Sequence, residues 1–105
     1  MTLKKPTAKV PPRFPAVRRD VSLRVAKSVP AGALMAGLRE GAGELCEDVV
    51  LFDRFAGGDL APSEHALAFA LTFRAGDRSL NDAEVDARFE AAVAAVCEAH
   101  GAARR

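Results

Sequence analysis

The sequence predicts an α+β domain in which two helices cover one face of a small antiparallel sheet. Residues 17–26 and 66–74 alternate larger apolar side chains with polar or small ones at a period of two, which is typical of half-buried strands. Apolar residues recur at helical spacing in the segments that follow Pro30 and Asn81. The chain has 105 residues, half of them hydrophobic, which is enough for one domain with a single core.

The N-terminal quarter of the chain combines a basic lead-in with the first strand. Prolines in residues 1–13 disfavour regular structure, so we expect an extended basic lead-in there and a folded domain at 14–105. The core face of the strand consists of Val21, Leu23 and Val25. Ser22 and Arg24 occupy the opposite face, where they carry a hydroxyl and a guanidinium group into water.

Two elements follow the first strand. Pro30 suits the first turn of a helix, and residues 41–43 contain the glycines that end it. The apolar stripe of this helix consists of Ala31, Leu34, Met35 and Leu38. A second strand is expected at residues 44–55, with Val49 and Leu51 turned inward. The outward residues are then Val50, Phe52 and Arg54, unless a β-bulge shifts the alternation.

The second half of the chain completes the arrangement. Residues 66–74 form the clearest strand, and its core face consists of Leu67, Phe69, Leu71 and Phe73. Asn81 and Glu84 fit a capping box at the start of a second helix, which ends near His100. Its apolar stripe comprises Val85, Phe89, Ala92, Val93 and Val96. With a short final strand, the order β-α-β-β-α-β predicts a ferredoxin-like sandwich with a four-stranded antiparallel sheet.

The net charge of +1 hides an asymmetry between the two ends of the chain. Residues 1–27 hold eight basic residues against Asp20 alone, whereas the remainder holds seven basic and thirteen acidic residues. This pattern fits a basic end that steers a polyanion, and it equally fits a solubilising tail. The N-terminus lacks an apolar signal region and no apolar run is long enough to span a membrane. We therefore expect a cytoplasmic protein without membrane contact.

The sequence contains no recognisable catalytic or cofactor-binding motif. Phosphate-cradling, nucleophile-elbow and zinc-protease motifs are absent, and the two histidines lie in different contexts. Cys46 and Cys97 lack metal-site spacing and are expected to be ordinary, partly buried thiols. The residues therefore single out no catalytic set, and we expect no cofactor and no metal site. A small-molecule enzyme on this scaffold is a weak hypothesis, because the fold alone does not assign a reaction.

The approach to the first strand resembles a known family motif. The run FPAVRRDVSL at residues 14–23 is similar to the entry motif of the ferredoxin-fold anticodon-binding domain, which closes the beta subunit of bacterial phenylalanyl-tRNA synthetase. Further matches follow in the same order: EDV at 47–49, LFD at 51–53, LAF at 67–69, LTFR at 71–74 and DRSL at 77–80. The resemblance covers roughly residues 13–104.

This resemblance implies a non-catalytic module that contacts the anticodon stem-loop of the phenylalanine tRNA. Catalysis would reside in other synthetase domains or subunits, which are then candidate partners. The candidate RNA-binding residues are Phe14, Arg18, Arg19, Ser22, Arg24, Phe52, His65 and Arg78. Arg18 and Arg19 alternate across the strand, so at most one of them is expected to face a ligand. Phe14 either stacks on a base or covers the core. Asp20 either has a structural role, by pairing with an arginine or capping a turn, or contacts RNA directly.

One segment departs from the family pattern. Relatives usually carry a basic run such as Gly-Lys-Lys-Ser just before the Leu-Ala-Phe strand, whereas this chain has SEHA at residues 63–66. If the family's loop contacts phosphate, affinity for RNA is expected to be lower here. The alternative hypothesis is a stand-alone ferredoxin-like module that has a protein-interaction or regulatory role and has lost tRNA binding.

Overall fold

The computed structural model describes residues 14–105, and the basic lead-in expected at 1–13 lies outside the described residues. Six elements follow one another: β1 (Val17–Ala26), α1 (Ala31–Ala42), β2 (Cys46–Phe55), β3 (Glu64–Phe73), α2 (Asp82–His100) and β4 (Ala103–Arg104). The strands form one sheet in the order β2-β3-β1-β4, and all neighbours are antiparallel. The predicted ferredoxin-like α+β fold is confirmed.

Strand β3 lies inside the sheet and gives it two chemically different faces. The core side chains of β3 are inaccessible to solvent, as the alternation predicts: Leu67, Phe69, Leu71 and Phe73. The core residues of β1 share this face, because the register pairs Leu23 with Leu67. The even-numbered residues of β1 and β3 point away from the helices. We call this second surface, with the neighbouring residues of β2, the open face.

The two helices bury the stripes that their sequences predict. In α1, Leu34 and Leu38 are buried, and Ala31 and Met35 are partly buried against the core. In α2, the buried residues are Val85, Phe89, Ala92, Val93 and Val96. These side chains meet the core face of the sheet and form a single hydrophobic cluster. Removing them from water is the main stabilising contribution that the helix layer makes.

The positions and packing of the helices depend on a few local contacts. The Asn81 side chain accepts a hydrogen bond from the Glu84 backbone N–H at 2.8 Å, which confirms the predicted start of α2. Gly101 ends α2 with a φ of 65°, in the left-handed region. The helices approach closely at Gly41, where an added Cβ would lie 2.8 Å from the Ala92 Cα. Because that atom belongs to the backbone, it cannot move aside cheaply.

A β-bulge in β2 changes which side chains reach the open face. The register shifts between Leu51 and Asp53, so Phe52 is an extra residue without a direct partner. The predicted alternation is right as far as Phe52 and wrong beyond it. Phe55 pairs with an alanine of the open face, whereas Arg54 moves to the helix side.

Candidate nucleic-acid interface

The open face has a floor of small side chains contributed by β3: Ala66, Ala68, Ala70 and Thr72. Ala66 and Ala70 are only 4% and 7% exposed, although they point away from the helices. In the register of the sheet, longer side chains flank both alanines: Arg24 and Phe55 beside Ala66, and Asp20 and Val50 beside Ala70. The result is a trough with an apolar floor and taller walls.

Strand β2 forms the aromatic wall of this trough. Its side chains Val50, Phe52 and Phe55 are 43%, 50% and 50% exposed. Burying a phenylalanine stabilises a fold by roughly 1.5–3 kcal/mol. Because both rings of β2 are half exposed, neither contributes this full stabilisation to the fold. Their free faces are available for a flat ligand.

Arginines form the opposite wall and reach across the floor to the aromatic rings. The guanidinium carbon of Arg18 lies 5.3 Å from the ring centroid of Phe52, and that of Arg105 lies 5.6 Å from Phe55. Arg105 follows β4, and its backbone N–H donates to the Ser22 carbonyl oxygen at 2.9 Å. Both distances are within the range of a cation–π interaction. Each ring of the trough is therefore paired with one guanidinium.

A depression of about 420 Å³ lies at the Phe55 end of the trough. It is lined by Ser22, Asp53, Phe55, Ala66 and Arg105. The phenylalanine offers a stacking surface, and the carboxylate and hydroxyl offer hydrogen-bonding groups for the edge of a base. An apolar ring beside these polar groups suits a planar heterocycle.

Ion pairs on β1 and β3 partly neutralise the arginines of the open face. The Arg18 Nε donates to Asp20 Oδ1 at 2.8 Å, which is one of the alternatives that the sequence left open for that carboxylate. The Arg24 Nε lies 3.8 Å from Glu64 Oε1, which is an ion pair without a hydrogen bond. The side chains of Arg18 and Arg24 are each at least half exposed, so both stay accessible to an anion.

Two of the predicted arginines lie away from the open face. Arg19 points toward α2, where its Nε donates to Asp86 at 2.9 Å and its Nη2 donates to Asp82 at 3.2 Å. The hydrogen bond to Asp86 raises the pKa of Arg19. Arg78 donates to both carboxylate oxygens of Glu84 at 2.6 and 2.7 Å, and this contact raises its pKa. Both side chains therefore form hydrogen-bonded ion pairs with carboxylates of α2.

His65 also lies on the helix side, because the register pairs it with the core residue Val25. Its buried Nε2 has no hydrogen-bond partner among residues 14–105. Loss of hydration lowers the pKa of His65, and the charges of Arg54 and Lys27 lower it further. The imidazole is therefore neutral at pH 7 and supplies no positive charge for a phosphate.

The structure thus brings together four of the eight predicted residues: Arg18, Ser22, Arg24 and Phe52. Phe14 precedes β1 and is 37% exposed. Sequence reasoning missed Asp53, Phe55 and Arg105. A regular alternation would place Asp53 and Phe55 on the helix side, but the bulge in β2 shifts the alternation. Strand β4 is too short to show an alternation from which Arg105 could be placed.

The remaining polar chemistry of the described chain is limited. No group of three or more His, Cys, Asp or Glu side chains in residues 14–105 is arranged to hold a metal ion. None of the helices in this part of the chain is long and apolar enough to cross a membrane. Cys46 and Cys97 are free thiols, buried and partly buried respectively. Burial raises the pKa of the Cys46 thiol.

Comparison with known proteins identifies the family of the chain. The family model of the ferredoxin-fold anticodon binding domain matches residues 12–105. The phenylalanine–tRNA ligase beta subunit of Nocardia farcinica is 49% identical over 92 residues, which cover 88% of this chain and 11% of that subunit. The subunit of Mycolicibacterium paratuberculosis is 48% identical over 100 residues, which cover 95% of this chain and 12% of that subunit. The subunit of Moorella thermoacetica is 38% identical over 105 residues, which cover 100% of this chain and 13% of that subunit.

The chain spans only 11–13% of the length of these relatives, so the comparison concerns one domain of a much larger protein. The family model covers all of the residues that the structure describes. The chain belongs to the family of ferredoxin-fold anticodon-binding domains.

Proposed function

We propose that this chain is a non-catalytic tRNA-binding module that contacts the anticodon stem-loop of phenylalanine tRNA through its open face. The observation that carries the proposal is the trough itself, in which Phe52 and Phe55 face arginines across an alanine floor. The family and the names of the relatives support the choice of tRNA. In this proposal the module is an accessory part of a ligase, and the other synthetase domains or subunits are its partners.

Stacking is the first physical reason for proposing an RNA loop. Sequence-specific RNA recognition targets unpaired loop bases, which can be turned out and stacked on aromatic side chains. Phe52 and Phe55 are half exposed and lie three residues apart on one strand. A guanidinium lies over each ring, and a base can displace it because the contact is exposed and weak.

Charge is the second reason, because exposed guanidinium groups lie beside the stacking rings. On the helix side, four of the five acidic residues of α2 pair with arginines, so those arginines are already bound to carboxylates. The open face carries Arg18, Arg24 and Arg105, whose charges are partly paired but which lie on the same face as the rings. These guanidinium groups can contact the phosphates of an RNA loop whose bases stack on Phe52 and Phe55.

The stacking hypothesis is tested by fluorescence titration of labelled phenylalanine tRNA against an unrelated tRNA at two salt concentrations. Phe52→Ala and Phe55→Ala are each expected to weaken binding about 5- to 150-fold, because a stacked base contributes about 1–3 kcal/mol. Val50→Ala is the matched control on the same strand and should change affinity less than about 2-fold. Wild-type protein that fails to bind at low salt would contradict the proposal.

A second arm of the titration compares two neighbouring arginines. Arg18→Gln removes a cation from the open face, whereas Arg19→Gln removes the same charge from the side facing α2. Only the first variant is expected to weaken binding. Equal losses would show that net charge, rather than the trough, determines affinity.

The alternative function is a protein-interaction module. Strand β2 lies at the edge of the sheet and carries three exposed apolar side chains, so a partner could pair with it. In that case light scattering would show self-association or a stable complex, and Val50→Ala would weaken it as much as Phe52→Ala. The tRNA titration would show no binding.

A further inference from the structure

A second depression lies beside the trough, between the loop that connects β2 to β3 and the short strand β4. This cleft has a volume of about 320 Å³. Its lining consists of Arg24, Asp59, Leu60, Ala103, Arg104 and Arg105. Three arginine residues and one aspartate therefore border a space large enough for a tetrahedral anion.

The three arginines of the cleft differ in how firmly they are held. Arg104 Nη1 makes two hydrogen bonds to the Glu90 carboxylate, at 2.8 and 2.9 Å, and its guanidinium lies over the ring of Phe89. Its charge is thus committed to α2. It borders the cleft but has a strong partner already.

Arg24 and Arg105 have weaker partners. Arg24 lies 3.8 Å from Glu64, and Arg105 lies 3.5 Å from Asp59, and neither guanidinium donates a hydrogen bond to a side chain within residues 14–105. Ion pairs of this length between exposed side chains contribute little in water. A phosphate accepts shorter, charge-assisted hydrogen bonds from a guanidinium and is a better partner than either carboxylate.

We propose that this cleft binds one phosphodiester group of the RNA backbone through Arg24 and Arg105, in competition with Glu64 and Asp59. The inference rests on the proposed function and adds to it a backbone subsite beside the stacking surface. Arg105 borders both depressions, so the phosphate held here adjoins the nucleotide that occupies the Phe55 end of the trough. The two carboxylates act as internal competitors that lower the affinity of the site.

The competition predicts changes in opposite directions. Arg24→Gln and Arg105→Gln should each weaken tRNA binding and reduce the slope of log affinity against log salt by about 0.7–1, the value for one lost phosphate contact. Glu64→Gln and Asp59→Asn should each strengthen binding at low salt by about 2- to 5-fold, because the competing ion pair is gone.

Matched controls separate the cleft from net charge. Arg39→Gln removes a half-exposed arginine from α1, and Glu98→Gln removes a carboxylate from α2. Neither should alter the salt slope or raise the affinity by the amounts given above. Circular dichroism spectra would establish that each variant is folded before its titration is interpreted.

A second measurement tests the cleft without tRNA. Titration of the wild-type protein with inorganic phosphate, followed by NMR, should shift the Nε–H signals of Arg24 and Arg105 and leave that of Arg39 in place. If wild-type protein binds tRNA but Arg24→Gln and Arg105→Gln keep the full salt slope, the cleft proposal is overturned and the proposed function stands. If phosphate shifts these signals but tRNA does not bind, both the RNA subsite and the proposed function are overturned.

Discussion

The two sides of the sheet use the same strands for opposite purposes. On the helix side, Phe69 and Phe73 of β3 are inaccessible to solvent and hold the core together. On the open side, the residues between them are small, and the neighbouring strand β2 presents large apolar side chains that are half exposed. A single strand thus supplies the most buried residues of the domain and the floor of its candidate binding surface.

The arginines show the same contrast. On the helix side, Arg19, Arg78 and Arg104 each donate hydrogen bonds of 2.6–3.2 Å to carboxylates of α2. On the open side, Arg18 also donates to a carboxylate, Asp20, at 2.8 Å, but Arg24 and Arg105 are paired with carboxylates only at 3.5–3.8 Å. The difference teaches that Arg24 and Arg105, which lack a hydrogen-bonded carboxylate, are the arginines whose charge is most available to a ligand.

The largest test of this comparison places one substitution on each face of β3. Phe69→Ala should lower the free energy of unfolding by about 3–5 kcal/mol, because it leaves a cavity in the core. Ala68→Leu lies on the floor of the trough and should change stability by less than about 1 kcal/mol. The same Ala68→Leu change should weaken tRNA binding, because it fills the space beneath the ligand.

Urea unfolding followed by circular dichroism measures the first effect, and the tRNA titration measures the second. The comparison fails if Ala68→Leu unfolds the protein or leaves the affinity unchanged.

A smaller effect is expected between the helices. Gly41→Ala should destabilise the domain by about 1–3 kcal/mol, because its Cβ would meet the Ala92 backbone at 2.8 Å. Gly32→Ala is the matched control: it lies on the same helix, where no atom is within 4 Å of an added Cβ. It should stabilise the domain by up to about 1 kcal/mol. Thermal unfolding checks both, and equal shifts of Tm would refute the close approach of the helices.

The smallest effect concerns pH and His65. Because its pKa is lowered in the folded state, the unfolded chain takes up a proton more readily than the folded one. Stability is therefore complete above the ordinary pKa of about 6.5 and declines as the pH falls below it. His65→Gln should reduce the loss of Tm between pH 7.5 and pH 5.5 by less than about 2 °C. An NMR titration of His65 that gives a midpoint above 6.5 would reverse the sign.

Much of this fold could be predicted because its signals are local. The alternation in β3, the stripe of α2 and the Asn81 cap each depend on a few neighbouring residues, and all three are confirmed. The open face was harder to predict because it depends on register. One bulge at Phe52 brings Phe55 to the trough, and the residues between them contain no sequence signal that predicts the bulge.

Spacing along the chain also says little about long-range pairing. The acidic change at residues 63–66 was visible in the sequence, but only the pairing of β1 with β3 places Glu64 beside Arg24. Likewise, Arg19 and Arg18 are adjacent in sequence and were both candidates. The hydrogen bonds to Asp82 and Asp86 of α2 assign Arg19 to the helix side. These two residues lie more than sixty positions away along the chain, so the local sequence around Arg19 does not indicate the contact.

The brevity of β4 has a dynamic consequence. The strand is two residues long, and the backbone N–H of Arg105 donates to Ser22 just beyond it. Such terminal hydrogen bonds open at low free-energy cost, so this amide should exchange with solvent deuterium faster than those of β3. Under the proposed function, a ligand that binds the Arg105 side chain should also stabilise this last hydrogen bond of the sheet. Fraying of the sheet edge and occupancy of the trough would then be linked, and slower exchange of this one amide on adding tRNA would report the link.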